Sequence, residues 1–264
     1  MHILLVGCGH LGQALLRRWL EKNPDLRFTV IKPTPLPDDL AVARHVTWHP
    51  ALPGDLPQPQ AIIYAIRPQI MAETLPTYRT LAQRATSISV AAGWTIQKLA
   101  ARLGDGAIVR TMPNVPAQIG QGMTPMFANA ACGDAGRRIA EELFRAAGIF
   151  VWLDEEKHID IATAVSGSGP AYLYLLTAAM ETAGTALGLP PATAALLART
   201  TVRGAANYMV HSGQDAEALY KAMLLPGGTT EAAMHRLLNG YGINSAVSDA
   251  IVLATARAGQ IGAE

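Results

Sequence analysis

Through residue 153, short β-branched or apolar runs alternate with stretches whose apolar residues recur every three or four positions. This is the pattern of parallel strands joined by crossover helices. The runs predict strands at 3–6, 28–31, 61–66, 87–90, 108–110 and 149–153, with helices at 13–21, 96–103 and 135–146. Pro33, Pro35, Pro37, Pro50, Pro53, Pro57 and Pro59 mark an extended, loop-rich stretch. From Glu155 onward the strand signal nearly vanishes. Ala/Leu-rich segments of helical spacing follow, separated at 188–191, 212–213, 226–228 and 240–242. The expected fold is an α/β Rossmann-type doubly wound sheet over residues 1–153, then an all-α domain over 154–264. The helix opening at Pro170 is apolar nearly all round, so other protein must cover it, and a homodimer is expected.

Composition narrows the function classes. Half of the 264 residues are apolar and 16% are charged, enough to bury a sizeable core. A net charge of +1 without long Lys/Arg runs gives no electrostatic footprint for nucleic acid or an acidic membrane surface, which directs attention to a small-molecule partner. The apolar stretch 171–180 is interrupted by Thr177 and stopped by Glu181, too short to span a bilayer. With no leader-like region ahead of the first strand, a cytoplasmic location is expected. Cys8 and Cys132 make no disulfide framework. His45 and His49 lack further ligands nearby, so no metal site is expected.

Three glycine-rich helix starts carry the candidate chemistry. The first, Gly7-Cys8-Gly9-His10-Leu11-Gly12, follows a predicted strand and opens a predicted helix, where bare backbone can approach a pyrophosphate. Its plain alternative is a tight turn without ligand. Twenty positions on, where an NAD site carries an acidic residue, stands Lys32. A cation there suits a 2′-phosphate, so NADPH is expected, with NADH possible; the alternative is a solvated lysine at a strand end. Loops after later strands, Ala65-Ile66-Arg67-Pro68, Ala91-Ala92-Gly93 and Arg110 to Asn114, are expected to line the nicotinamide side, or else to be packing turns and surface charge.

The second start is TAVSGSGPAY, from Thr163 to Tyr172. Its glycines around Ser168 remove Cβ atoms, Pro170 suits the first helical position, and open N–H groups would favour negative charge. An ordinary capped helix is the alternative. The third is Pro226-Gly227-Gly228-Thr229-Thr230-Glu231, where N–H groups and two hydroxyls suit a carboxylate, or simply cap a helix.

Taken together these segments resemble the pyrroline-5-carboxylate reductases over nearly the whole chain. The matching runs are GCGHLG, AIRPQ where the family usually has AVKPQ, SVAAG, VRTMPNVP, TAVSGSGPAY and PGGTTEAA. Residues 112–116 and 166–172 are specific; the glycine fingerprint is not. The resemblance implies NAD(P)H-dependent reduction of 1-pyrroline-5-carboxylate to L-proline, the last step of proline biosynthesis. It also implies a dinucleotide-binding domain, then a helical domain that interlocks with a second subunit, often in a larger ring of dimers. By position, Glu156, Thr229 and Thr230 match family residues around the proline-like ligand, and 65–68 match part of the cofactor site. The expected sites are then Thr230 and Glu156 for catalysis, with Gly228, Thr229 and Ser168 beside them for substrate. Gly7, Gly9, His10, Leu11, Gly12, Lys32, Ala65, Ile66, Arg67, Pro68, Ala92, Gly93 and Asn114 are expected at the cofactor.

The chain departs from the family where Leu225 and Ala222 stand in place of common polar residues, where Lys221 replaces a frequent acid, and at Arg67. The chemistry expected is mainly positional, with Thr230 the best-placed hydroxyl for the ring nitrogen. Three other readings stay open. A β-hydroxyacid dehydrogenase would use a lysine base on the long inter-domain helix, and no lysine lies between residues 158 and 218. A reductase of a different cyclic imino acid is favoured by Leu225. A non-catalytic NADP-binding sensor would keep the cofactor domain alone.

Overall fold

In the computed structural model, which describes residues 1–261, eight strands form one sheet in the order β3-β2-β1-β4-β5-β6-β7-β8. They are β1 (His2–Val6), β2 (Arg27–Ile31), β3 (Val46–His49), β4 (Ala61–Tyr64), β5 (Thr86–Ser89), β6 (Ile108–Thr111), β7 (Gly122–Ala128) and β8 (Gly148–Trp152). The first six run parallel; β7 is antiparallel to β6 and parallel to β8. The helices are α1 (His10–Lys22), α2 (Asp38–Ala41), α3 (Pro68–Thr74), α4 (Arg79–Ala82), α5 (Ile96–Leu103), α6 (Gly133–Ala147), α7 (His158–Ala162), α8 (Gly169–Ala186), α9 (Pro191–Ser212), α10 (Ala216–Ala222), α11 (Thr229–Leu238) and α12 (Ile243–Ile261).

Both faces of the sheet are covered, so β1, β4 and β5 read as near-continuous apolar or small runs. On one face Leu15, Leu16 and Trp19 of α1 and Leu143 and Phe144 of α6 pack on Ile3, Leu5, Phe28, Val30 and Ile63. Trp19 stacks on Phe28 with ring centroids 5.7 Å apart and donates its indole N–H to Leu143 O at 2.8 Å. On the other face Met71, Leu75, Tyr78, Leu99 and Leu103 pack on Leu4, Val6, Ile62 and Tyr64.

The doubly wound sheet and the helical second part stand as the sequence predicts, with local corrections. The loop-rich stretch is interrupted by α2 and by β3, whose four residues pair with β2. The strand expected at 61–66 stops at Tyr64, which releases Ala65 and Ile66 into the loop. β7 has no counterpart among the predicted strands. Its Gly122, Thr124 and Pro125 are a weak strand signature, and pairing with both neighbours overrides it.

The chain divides into two compact units, Gly169–Val252 and the remainder, to which α12 contributes from Leu253. Within Gly169–Val252, α8 packs against α9, where Gly184 lets a neighbouring Ala194 come close. None of the 18 residues of α8 is buried, and Leu173, Tyr174 and Leu175 are 50%, 62% and 73% exposed. A helix this apolar cannot stay wetted without cost, at about 25 cal/mol for each Å² of apolar surface. The described residues contain no helix long and apolar enough to cross a membrane.

Candidate functional site at the carboxyl edge of the sheet

The turn between β1 and α1 has a different reason for each glycine. Gly7 sits at φ +81°, and a Cβ there would lie 2.4 Å from Ile66 Cγ2 and 2.6 Å from Ala65 O. At Gly12 a Cβ would meet Ala65 Cβ and Gly7 O, both at 3.4 Å, so the glycine lets the helix lie close on the next loop. A Cβ on Gly9 meets nothing within 4 Å. Its side faces open space at the start of α1, where no side chain caps the helix. Gln13 N–H is the first to return to the helix, to Gly9 O at 2.8 Å, which leaves the N–H groups of His10, Leu11 and Gly12 for an outside acceptor. These residues therefore fit a dinucleotide pyrophosphate, which needs close backbone approach and a positive helix end.

The other expected cofactor residues lie on loops at the same edge. Lys32 follows β2, half-buried, with its ammonium on Pro35 O at 3.2 Å. Ala65 and Ile66 follow β4; Arg67 caps α3 and is exposed, and Pro68 is its first residue. Ala92 and the buried Gly93, at φ +74°, follow β5. Trp94 then donates its indole N–H to Pro68 O at 3.0 Å, tying the two loops together.

Asn114 follows β6 and is only 9% exposed, with its side chain fully engaged. Its Nδ2 donates to Ser166 O and its Oδ1 accepts from Met123 N–H, each at 2.9 Å. The first contact corrects the expected helix start at 163–170. The chain is helical throughout: α7 passes through a π-turn at Thr163–Gly167 into α8, and Ser168 N–H donates to Thr163 O at 2.9 Å. Pro170 has no N–H for the carbonyl four residues back, that of Ser166, and Asn114 supplies the missing donor. Gly167 comes close to Met112 and Thr163 instead of lying open. A Cβ on Gly169 would meet nothing within 4 Å, but that residue lies inside the helical run, so the segment is an irregular helical turn and not an anion-ready terminus.

Glu156 reaches this edge by way of β7. Met126 pairs with Thr111 at the end of β6, so Gly122 to Pro125 project beyond that end, and β8 pairs along the projection. Trp152 lies opposite Met126, and Leu153 N–H donates to Met126 O at 2.8 Å, so β8 brings the chain back to the level of Thr111. Glu156 Oε1 then accepts from Ile96 N–H at 2.7 Å and from Arg110 Nη1 at 3.2 Å, while Arg110 Nη2 bonds Asp160 Oδ1. Arg110 is 1% exposed and its Nε has no partner. Its pairing with Asp160 is not foreseen from the sequence, although an arginine inside the apolar run 108–111 is the available signal.

The start of α11 belongs to the unit Gly169–Val252. Gly228 is its N-cap without a side-chain bond, Gly227 sits at φ +75°, and Ala232 N–H returns to Gly228 O. The N–H groups of Thr229, Thr230 and Glu231 point out of the helix end. Glu231 turns its own carboxylate back to Gly227 N–H at 2.8 Å, which the sequence pattern does not foretell. Leu225 is 69% exposed beside this turn.

Comparison with known proteins follows the same lines. Residues 156–261 match the family model described as pyrroline-5-carboxylate reductase dimerisation. The chain is 38% identical over 202 residues to the pyrroline-5-carboxylate reductase of Pseudomonas aeruginosa, covering 76% of this chain and 74% of that one. It is 33% identical over 251 residues to the Escherichia coli enzyme of that name, covering 93% of each. Among solved structures it is similar to Plasmodium falciparum pyrroline carboxylate reductase with NADP bound, with a TM-score of 0.84, 25% identity and coverage of 99% and 98%.

Proposed function

The chain belongs to the pyrroline-5-carboxylate reductase family, and we infer that it reduces 1-pyrroline-5-carboxylate to L-proline with a nicotinamide cofactor. The observation that supports this most directly is the bare cradle at Gly9 beside an uncapped helix start. Bound there, NAD(P)H supplies the hydride; the chain's own residues place and polarise. The N–H groups of His10, Leu11 and Gly12 would hold the pyrophosphate, with Gly9 leaving room for its approach. Lys32 meets the 2′-position of the adenosine ribose and favours NADPH over NADH. The loops 65–68, 92–93 and 112–114 frame the nicotinamide.

The N–H groups of Thr229 and Thr230, beside Gly228, hold the substrate carboxylate, since a helix start favours an anion without requiring a lysine. Thr230 hydroxyl bonds the ring nitrogen and keeps a proton on it, which makes the imine carbon electron-poor. Ser168 borders the substrate, and Glu156 supports that end of the pocket. Residues 1–153 serve the cofactor and 154–264 dimerisation and substrate. The exposed apolar faces of α8 are covered by a second copy, and dimers assemble further into a ring in the cytoplasm.

Loss of NADPH absorbance on adding pyrroline-5-carboxylate tests the reading, with a six-membered cyclic imino acid as comparison. A preference for the six-membered substrate would replace the named substrate, and no turnover with either would leave only cofactor binding.

A further inference from the structure

Arg110 is a poor choice for stability alone. It is a strand residue 1% exposed, between Val109 and Thr111, each also buried. Its Nε is dry and without a partner, and the two carboxylates it meets are themselves only 25% and 22% exposed. Burying an ion group of this kind costs several kcal/mol per ion before pairing returns part of it, so an apolar side chain of similar volume serves stability as well or better.

What the cluster does achieve is a connection. Arg110 is the last residue but one of β6, Glu156 and Asp160 come from the segment after β8, and Glu156 Oε1 also holds Ile96 N–H at the start of α5. That N–H closes the loop running from Ala91 through Gly93 to Thr95. The loop's other end is held by Ala91 N–H on Ser89 Oγ at 3.3 Å, and its middle by Trp94 on Pro68 O at 3.0 Å. Thr111 beside Arg110 bonds Ser89 O at 3.0 Å. Gly93, at φ +74°, leaves the loop dependent on such external ties for its shape.

We propose that Arg110 is a positioning residue for hydride transfer: it aims the Glu156 carboxylate at Ile96 N–H and thereby fixes the 91–95 loop against which the nicotinamide ring lies. The inference rests on the functional reading above. Glu156 is then held at the cofactor loop through Oε1, and its contribution to turnover runs through backbone placement. A misplacement of about 1 Å in such a loop costs on the order of 100-fold in rate while leaving much of the dinucleotide contact intact.

The test uses the full chain and two variants. Arg110→Lys keeps the charge but cannot bridge two carboxylates, and Glu156→Gln keeps an oxygen for Ile96 N–H while removing the charge that holds it to Arg110. Three quantities are read: amide hydrogen exchange of the 91–96 segment without cofactor, NADPH affinity by fluorescence, and kcat with the primary isotope effect of deuterated NADPH. The expected result is at least tenfold faster exchange in 91–96, with exchange in β1 and β4 unchanged. NADPH affinity stays within about threefold, kcat falls about 10- to 100-fold, and the isotope effect is larger because hydride transfer has become slower.

Wild-type exchange and wild-type kcat in both folded variants overturn the proposal. Uniformly faster exchange through the whole sheet also overturns it, since that is loss of stability alone. If Arg110→Lys does not fold, Glu156→Gln, which keeps the side-chain volume, decides by the same criteria. A wild-type chain that does not oxidise NADPH with pyrroline-5-carboxylate removes the functional reading first, and this inference with it.

Discussion

Asn114 holds the carbonyl of Ser166 at 2.9 Å, completing the hydrogen bonding of a helical turn that Pro170 interrupts from within. Its Oδ1 meanwhile holds Met123 N–H at the projecting end of β7. Asn114→Ala leaves a buried donor and a buried acceptor without partners, at about 1–3 kcal/mol each. A melting temperature lower by roughly 5–10 °C is expected, and Asn114→Asp, which cannot donate to Ser166 O, should recover only part of it. Thermal unfolding followed by circular dichroism checks this; an unchanged midpoint would make the contact energetically idle.

Gly7 and Gly9 should respond differently to the same change. Gly7→Ala forces a Cβ to 2.4 Å from Ile66 Cγ2 at φ +81°, so a folding defect is expected. Gly9→Ala places its methyl in open space at φ −76°, so stability holds while the KM for NADPH rises at least tenfold. Melting curves set beside cofactor kinetics separate the two; a Gly9→Ala enzyme with normal KM would place the cofactor elsewhere.

Lys32→Asp is expected to lower kcat/KM for NADPH about 10- to 100-fold and to change that for NADH far less, which is the worth of a single charge-assisted hydrogen bond. Equal effects on both cofactors would remove Lys32 from the 2′-phosphate.

Thr230→Ala should cut turnover far more than it weakens NADPH binding, since the proposed role of its hydroxyl is on the substrate and not on the cofactor. Stopped-flow turnover and fluorescence titration read the two separately, and equal losses would point to a folding defect.

Leu175, 73% exposed on α8, lies on the face a second copy would cover. Leu175→Arg should lower the mass seen by light scattering towards that of a single chain, because a charge would be buried in an apolar interface. An unchanged mass would place the dimer contact on another surface.

Cys8 is buried in the turn between β1 and α1, and burial pushes its thiol up to about 11, with Lys32 and Arg17 pulling the other way. At pH 8, three units below, about 0.1% of the group is thiolate. Burial raises Cys132 as well. Neither thiol should react with a disulfide reagent at pH 8 until denaturant unfolds the chain, and reactivity should rise with pH only towards that raised value. Rapid labelling of the native protein at pH 8 would contradict the buried placement.

The sheet and the helical second part are legible because their signals are periodic and local: apolar runs such as 3–6, with a glycine turn after it, and 61–66, then Ala/Leu segments with Gly/Pro breaks. β7 is not, because Pro125 and Gly122 argue against a strand and only two neighbouring strands make it one. The turn at 163–170 misled for a related reason. Ser-Gly-Ser-Gly before proline reads locally as a helix start, and the donor that keeps the helix continuous comes from Asn114, far away in sequence. Position in the family motif identifies Glu156, but its bond to Ile96 N–H and its pairing with Arg110 are tertiary facts.

The projection of β7 past Thr111 also works as a ruler. Four residues, 122–125, extend beyond β6 at about 3.4 Å each, and β8 descends the same distance to deliver Glu156. Adding or removing one residue in either strand would shift the delivery point by one such step and turn alternate side chains to the opposite face. Length in these two strands is thus constrained by a carboxylate that neither of them contains.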